Sequence, residues 1–259
     1  MAAASRPKWL QFSKDFVITL TLWGYYTVGF VILFAPFYAI ARLFSPDVAR
    51  AFQRLNTCFY RWFFVLLRWL VPACRWQVDD ALKTIRGSVI VANHASYLDP
   101  ILLISFFPHH TTIAKRRLFH IPIYGRVLRL SGYLPSAADG PLADLMLLRM
   151  EQMPALLADG GNLVVFPEGT RSRDGRIGSL NTGAFKIARL CNAPIDVVYM
   201  EGTARLFRPG RFLFDAGALN IIHVQHLARI APCYGDPDFS LRALMTQVQR
   251  ILETRQMNQ

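Results

Sequence analysis

From Phe16 to Ala41 the chain carries no charged side chain. These 26 residues exceed the ~20 that suffice to cross the apolar core of a bilayer. Whatever the rest of the chain does, this segment has to be covered by protein or by lipid. It is too long for the apolar core of a signal peptide, and no small-residue cleavage site follows it cleanly. Trp23, Tyr25 and Tyr26 lie inside the run and Pro36 lies near its end. The run is therefore expected to bend or to lie shallow instead of crossing straight. Ser45-Pro-Asp47 then restarts a helix, with serine suited to the N-cap and proline to the first helical position. In the next stretch, to about Val71, Arg50, Arg54, Arg61 and Arg68 share one helical face. Phe52, Leu55, Phe59, Phe63, Leu66 and Leu70 supply its apolar positions. A basic amphipathic helix of this kind is expected to lie in a membrane interface. The plain alternative is a core helix with a solvated arginine face. Residues 1–73 are thus read as an N-terminal membrane-associated helical element, and 74–259 as a separate domain.

The charge balance agrees. The 259 residues carry a formal net charge of +12 and are 53% hydrophobic, with 19 Phe. A strongly basic chain suits an anionic partner, either nucleic acid or an anionic lipid surface. No stretch reads as a nucleic-acid-binding module, and the basic residues flank apolar segments, which favours the membrane. Arg6, Lys8 and Lys14 precede the uncharged run, and Arg42, Arg50, Arg54, Arg61, Arg68 and Arg75 follow it. If the run spans, the positive-inside bias places the following domain in the cytoplasm. If the two hydrophobic segments form a hairpin on one leaflet, the domain is still held there. Cys58, Cys74, Cys191 and Cys233 are scattered, so neither a zinc site nor a disulfide framework is expected, and the compartment is read as reducing.

From Arg75 onward, strand and helix patterns alternate. Strand-like runs occupy 87–92, 162–166, 195–200, 211–215 and 220–225. Helical patterns occupy 100–107, 142–158, 183–191 and 239–255, and Gly160-Gly161 closes the second of these. The apolar runs are mostly continuous, as expected of strands covered on both faces. The expected fold class is α/β, a mixed, largely parallel sheet flanked by helices. Asp139-Gly-Pro141 and Arg173-Asp-Gly175 are turn signals.

Directly after the run Gly87-Ser-Val-Ile-Val-Ala92 comes Asn93-His-Ala-Ser-Tyr-Leu-Asp-Pro100. His94 and Asp99, five residues apart, do not share a face of a regular helix. Pro100 disfavours helical geometry at Asp99, so the pair is placed in a loop leading into a helix that begins at Pro100. There the carboxylate can cap backbone donors and accept a bond from the histidine ring. Such a bond fixes the tautomer and stabilises the imidazolium when the other nitrogen takes a proton. The bland alternative is a histidine that ends a strand and an aspartate that caps a helix. Ser96 lacks a Gly-x-Ser-x-Gly elbow and is not read as a nucleophile. Phe166-Pro-Glu-Gly-Thr-Arg-Ser172 also follows a strand-like run. An arginine exposed in such a bent loop can bind a phosphate bidentately, and Glu168 can hold that arginine or a substrate hydroxyl. Lys115, Arg116 and Arg117 read as a basic cluster, and Gly125 permits a close backbone approach. His223 and His226, on opposite faces of a strand-like run, are not read as a metal site. His109-His110 read as a solvated loop.

The first block, 93–100, resembles the first motif of the glycerolipid acyltransferases, the 1-acylglycerol-3-phosphate O-acyltransferase (PlsC-like) family. Ala114-Lys-Arg-Arg-Leu-Phe-His-Ile-Pro-Ile-Tyr-Gly-Arg126 is similar to the second block, Phe166–Ser172 to the third, and Ala193-Pro-Ile-Asp-Val-Val198 to the fourth. The fourth departs from the pattern, with Asp196 in place of an apolar residue and Val197 where many members carry a second proline. The resemblance covers about 75–230. It implies the glycerol-3-phosphate acyltransferase-like fold, with a membrane-docking pair of helices before it. It also implies acyl transfer from acyl-CoA or acyl-ACP, as co-substrate, to a lysolipid hydroxyl. No cofactor and no metal are expected. His94 would be the general base, Asp99 its orienting partner, and Lys115, Gly125, Glu168, Gly169, Thr170 and Arg171 the substrate-binding set. The expected acceptor is 1-acyl-sn-glycerol-3-phosphate. Lyso-ornithine lipid, lysophosphatidylglycerol and lysocardiolipin are the alternatives. The expected partners are membrane phospholipids, lysolipid and the acyl donor, without nucleic acid. The expected place is the cytoplasmic face of a bacterial inner membrane. Two other classes compete: a non-catalytic membrane binder, which would show liposome binding without turnover, and a nucleic-acid binder, which would show salt-sensitive gel shifts.

Overall fold

The uncharged run folds as one continuous helical rod in three stretches: α1 (Lys8–Gly24), a π-helical stretch (Tyr25–Phe34) and α2 (Ala35–Phe44). The computed structural model describes residues 8–136, 140–172, 175–217 and 219–258. The expected turn residues Asp139, Arg173 and Asp174, and the flanking Arg6, lie outside them. Pro36 has no N–H to give to the residue four before it. The ladder reaches it in a wider register, with Ala35 N bonded to Phe30 O, and the rod continues past the proline.

Helix α3 (Val48–Leu70) follows. Its cap is Asp47, whose carboxylate accepts from Arg50 N at 2.9 Å, and not Ser45 as the sequence suggested. An aspartate at this position satisfies one orphan donor and adds a favourable charge at the positive helix end. Leu67 is fully buried and Phe63 and Phe64 nearly so, in a core shared with the sheet. The arginine face is not uniformly turned to solvent or lipid. Arg50 pairs with Asp159 at 2.7 Å, Arg61 donates to Ser105 O at 3.2 Å, and Arg68 sits 4.7 Å over the Trp76 ring.

The remaining elements are β1 (Cys74–Val78), β2 (Val89–Ala92), α4 (Leu98–Ile104), β3 (His110–Ala114), α5 (Tyr124–Leu130), β4 (Leu134–Pro135), α6 (Ala143–Ala158), β5 (Asn162–Val165), α7 (Gly183–Leu190), β6 (Ile195–Glu201), α8 (Thr203–Leu206), β7 (Asn220–Ile230) and α9 (Leu241–Met257). The seven strands form one sheet in the order β1-β7-β6-β2-β5-β3-β4. Among the described residues only the β6–β7 pairing is antiparallel, so the sheet is mixed and mostly parallel. Alternate side chains of β2 feed two cores. Ile90 and Ala92 join α1, α3 and α4 on one face; Val89 and Val91 join α6, α7 and α9 on the other. Gly160, at φ +80°, ends α6 as expected, with Gly161 N bonded to Leu156 O.

Residues 211–215 are not a strand. Their backbone is satisfied elsewhere: Phe214 N donates to Thr19 Oγ1 at 2.9 Å and Asp215 N to Leu206 O at 2.8 Å. The apolar pattern there reflects packing against α1, since Phe207 and Phe214 stack at 4.5 Å inside the same core as Ile18 and Leu22.

His110 is not in a solvated loop either. It is fully buried at the start of β3. Its Nδ1–H donates to Phe107 O at 2.6 Å, which leaves Nε2 to accept the Tyr133 hydroxyl at 2.5 Å. Burial pushes its pKa from the usual 6.5 down to about 3. A depressed folded-state value means that the unfolded chain takes up the proton first. Stability from this group is complete above about 6.5 and is lost as pH falls towards about 3, by at most ~1.4 kcal/mol per pH unit. The melting temperature is expected to fall from pH 7 to pH 5. His110→Asn, although less stable at pH 7, is expected to lose less over the same interval. An equal loss in both proteins would contradict this.

Candidate active site

Four strands end on the same side of the sheet. The first block follows β2, the basic cluster follows β3, the third block follows β5, and Gly202-Thr203 follows β6. In a parallel sheet this carboxyl edge is where connections leave room for a ligand.

The first block is fixed from three sides. Asn93 locks its side chain onto β6, donating to Met200 O at 2.8 Å and accepting from Met200 N at 2.7 Å. Asp99 is completely buried. Its Oδ2 accepts from Ala95 N and Ser96 N, both at 2.7 Å, and lies 3.1 Å from His94 Nδ1. The expectation that Asp99 lies in the loop before a helix beginning at Pro100 is corrected here. Helix α4 starts at Leu98, two residues before Pro100, so Asp99 is helical. Pro100 is tolerated because first-turn N–H groups have no acceptor within the helix. The backbone donors that Asp99 satisfies belong to the loop before the helix. With His94 Nδ1–H given to the carboxylate, Nε2 is left as the basic nitrogen.

The third block holds the histidine's backbone. Glu168 Oε1 accepts from His94 N at 2.9 Å, its Oε2 accepts from Gly178 N at 3.0 Å, and Ser172 N donates to His94 O at 2.8 Å. Glu168 is therefore engaged in clamping two loops and does not hold Arg171. Gly169, at φ +69°, closes the turn with its N–H on Phe166 O at 3.0 Å. That amide is committed within the turn. Arg171 lies with its guanidinium carbon 3.3 Å from the Tyr97 ring centroid, and its Nη1 is buried without a hydrogen-bond partner. Stacked guanidinium with a free donor is a ready anion ligand.

A cavity of about 1210 Å³ runs from His94 beneath the N-terminal helices. That is larger than the ~300–1,000 Å³ typical of small-molecule sites. His94, Tyr97, Lys115, Arg117, Gly169 and Arg171 line its polar end, and Leu22, Phe30, Phe59, Ile101 and Leu128 are among its apolar walls. The structure thus brings His94, Lys115, Gly169 and Arg171 around one space. Glu168, Thr170 and Gly125 are not among the lining residues. Thr170 is exposed in the turn. Gly125 does permit a close approach, but to the protein itself: a Cβ there would lie 2.3 Å from Phe119 O.

One residue bonded to the site, Thr203, had no signal in the sequence. Thr203, buried, donates its hydroxyl to Asp99 Oδ1 at 2.6 Å. Ser96 donates to Phe207 O at 3.0 Å, so its hydroxyl is tied down as a structural group. Thr203 is placed by Gly202, at φ +84°, where a Cβ would sit 2.0 Å from Ile221 O. Asp196, the departure in the fourth block, is fully buried but paired: its oxygens meet His226 Nε2 at 2.7 Å and Arg229 Nη1 at 2.9 Å, both on β7. His226 is thereby committed to that carboxylate.

This architecture has relatives. The crystal structure of the 1-acyl-sn-glycerophosphate (LPA) acyltransferase PlsC from Thermotoga maritima superimposes with a TM-score of 0.73 at 22% identity, covering 94% of this chain and 95% of that one. That likeness shows the fold. Among curated proteins, the chloroplastic 1-acyl-sn-glycerol-3-phosphate acyltransferase LPAT1 of Arabidopsis thaliana is 29% identical over 198 residues, 76% of this chain and 51% of the relative. The chloroplastic enzyme BAT2 of Brassica napus is 34% identical over 147 residues, 57% of this chain and 41% of the relative. The chain spans about half the length of these curated relatives. The family model described as Acyltransferase matches residues 75–223, more than half of the chain and all four strand ends that build the site. On that match the chain belongs to the Acyltransferase family.

Proposed function

We propose that the chain is a membrane-bound O-acyltransferase that moves a fatty acyl group from a thioester, acyl-CoA or acyl-ACP, to the free hydroxyl of a lysolipid, with 1-acyl-sn-glycerol-3-phosphate as the favoured acceptor. The observation that carries the reading is the His94 ring, braced on Asp99 through Nδ1, at the polar end of a cavity whose other walls are apolar. The acceptor choice follows the names of the relatives and the unpartnered Arg171 Nη1, which suits a phosphate.

In this reading the acceptor hydroxyl lies against His94 Nε2 and the thioester carbonyl beside it. Nε2 takes the hydroxyl proton as the oxygen attacks the carbonyl carbon. Asp99 stabilises the imidazolium that forms. The tetrahedral intermediate collapses with cleavage of the C–S bond, and the imidazolium returns the proton to the leaving thiolate. The substrate brings its own nucleophile, so no acyl-enzyme forms. Arg171, with Lys115 beside the same cavity, holds the acceptor phosphate, and the apolar cavity takes an acyl chain.

The N-terminal rod lies in one leaflet. It is fastened to the rest of the molecule along its length: Asp15 Oδ1 accepts from Ala216 N, Tyr25 donates to Phe59 O and Tyr38 to Asn56 Oδ1. From Asp15 to Tyr38 a helix rises roughly 35 Å, more than the ~30 Å apolar core of a bilayer. Crossing would carry the attached polar surface into lipid. The opposite face, with Val17, Val28, Ile32, Phe37, Leu43 and Phe44 exposed, is the part that enters the bilayer. The donor side, and so the domain, is the cytoplasmic face of a bacterial inner membrane.

Purified protein with one acyl-CoA and a panel of lysolipids tests the acceptor. Fastest thiol release is expected with 1-acyl-sn-glycerol-3-phosphate. Faster turnover with lyso-ornithine lipid, lysophosphatidylglycerol or lysocardiolipin would reassign it. Liposome binding without turnover of any acceptor would overturn the enzymatic reading.

A further inference from the structure

Four cationic side chains line the cavity among the described residues: Lys115, Arg117, Arg171 and Arg211. The first three follow β3 and β5. Arg211 stands apart, on the connection between β6 and β7, and has no part in the reaction as described. That segment carries Arg205, Arg208 and Arg211, all exposed, and Arg208 lies 3.9 Å from Asp215. Gly210, at φ +82°, and the bond from Arg211 N to Arg208 O make Arg208–Arg211 a tight turn. The turn is fixed relative to the histidine. On one side Phe207 O accepts from Ser96 Oγ, and on the other Phe214 N donates to Thr19 Oγ1. The Trp23 and Phe212 rings stack next to it at 6.2 Å.

Both substrates of the proposed reaction are anionic, because a CoA or carrier-protein thioester reaches the site through a phosphopantetheine arm. Two phosphates do not share one cluster of cations without repelling each other. With Arg171 facing the acceptor, we infer that Arg211 and the Arg205–Arg211 turn form the donor's anion site, binding the phosphate of the phosphopantetheine arm. This inference rests on the acyl-transfer reading above. It assigns cations carried by different connections around one cavity to different substrates.

The test compares S-acyl-pantetheine with S-acyl-4′-phosphopantetheine, donors that differ only in the phosphate, in wild type, Arg211→Ala and Arg211→Gln. Loss of a charge-assisted contact predicts a roughly tenfold fall in kcat/KM for the phosphorylated donor. The preference for it over the phosphate-free donor collapses towards one, and KM for the lysolipid stays put. Because the preference is a ratio within one preparation, it does not depend on the fraction folded. Acyl-CoA and acyl carrier protein serve as further arms, and the one with the larger loss identifies the source of the phosphate. An unchanged preference would overturn the inference. So would a defect confined to binding vesicles of anionic lipid, which would make the turn a headgroup contact. If wild type turns over none of the four donors, acyl-CoA and acyl carrier protein included, the acyl-transfer reading itself fails; if wild type is active and the variants keep its preference, only the donor site fails.

Discussion

His94→Ala is expected to lower acyl transfer by at least ~10³-fold, almost entirely in kcat, within the range of a general base placed on a neutral hydroxyl. The substitution removes the ring and little else. The bonds that fix this position run through the backbone, to Glu168 Oε1 and from Ser172 N, and both survive. Asp99 Oδ2 keeps the amides of Ala95 and Ser96. A melting temperature close to wild type should therefore accompany the loss. Arg171 is untouched, so KM for the acceptor should change little.

Asp99→Asn separates charge from shape. Oδ2 faces three donors and Oδ1 one, so the amide oxygen is forced into the Oδ2 position and the NH2 faces Thr203. The Thr203 hydroxyl can rotate and accept that NH2. The histidine tautomer is kept and the fold survives. What is lost is a negative charge about 4 Å from the imidazolium, worth ~4 kcal/mol at an effective dielectric of about 20. That converts to roughly a 10³-fold fall in kcat. Asp99→Ala is a different experiment. It leaves two buried amides and the Thr203 hydroxyl unpaired, at about 1–3 kcal/mol each, and is expected to lower the melting temperature as well. If Asn and Ala behave alike in both activity and melting, Asp99 acts on structure alone.

The sequence displayed the parts of the site that lie within single blocks. His94 and Asp99 are five residues apart, and the strand before them is a continuous apolar run, because β2 is buried on both faces. Contacts between blocks were not legible. Glu168 reads as a substrate ligand until its carboxylate is found on His94 N, 74 positions away in the chain. Thr203 meets Asp99 across 104 positions, after a short turn with no pattern of its own. The strands β1, β3 and β4 and the short helices α5 and α8 went unseen, and β1 and β3 are polar by composition. β1 is an edge strand with alternating burial. In β3, His110, Thr111 and Thr112 are buried with their side chains bonded to Phe107 O, Gly132 O and Val164 O. Satisfied polar groups cost little to bury, and a reading by hydropathy passes them over. The run at 211–215 failed the other way, since its apolar residues pack against a helix while its backbone bonds to α1 and the preceding turn.

The central claim is that His94 activates the lipid's own hydroxyl. The most direct measurement is release of thiol from acyl-CoA by purified protein, with and without 1-acyl-sn-glycerol-3-phosphate, for wild type and His94→Ala. The account predicts release that requires the acceptor, shows no burst without it, and falls to background in the variant. An acceptor-independent burst approaching one thiol per chain, or equal release by wild type and variant, would contradict it.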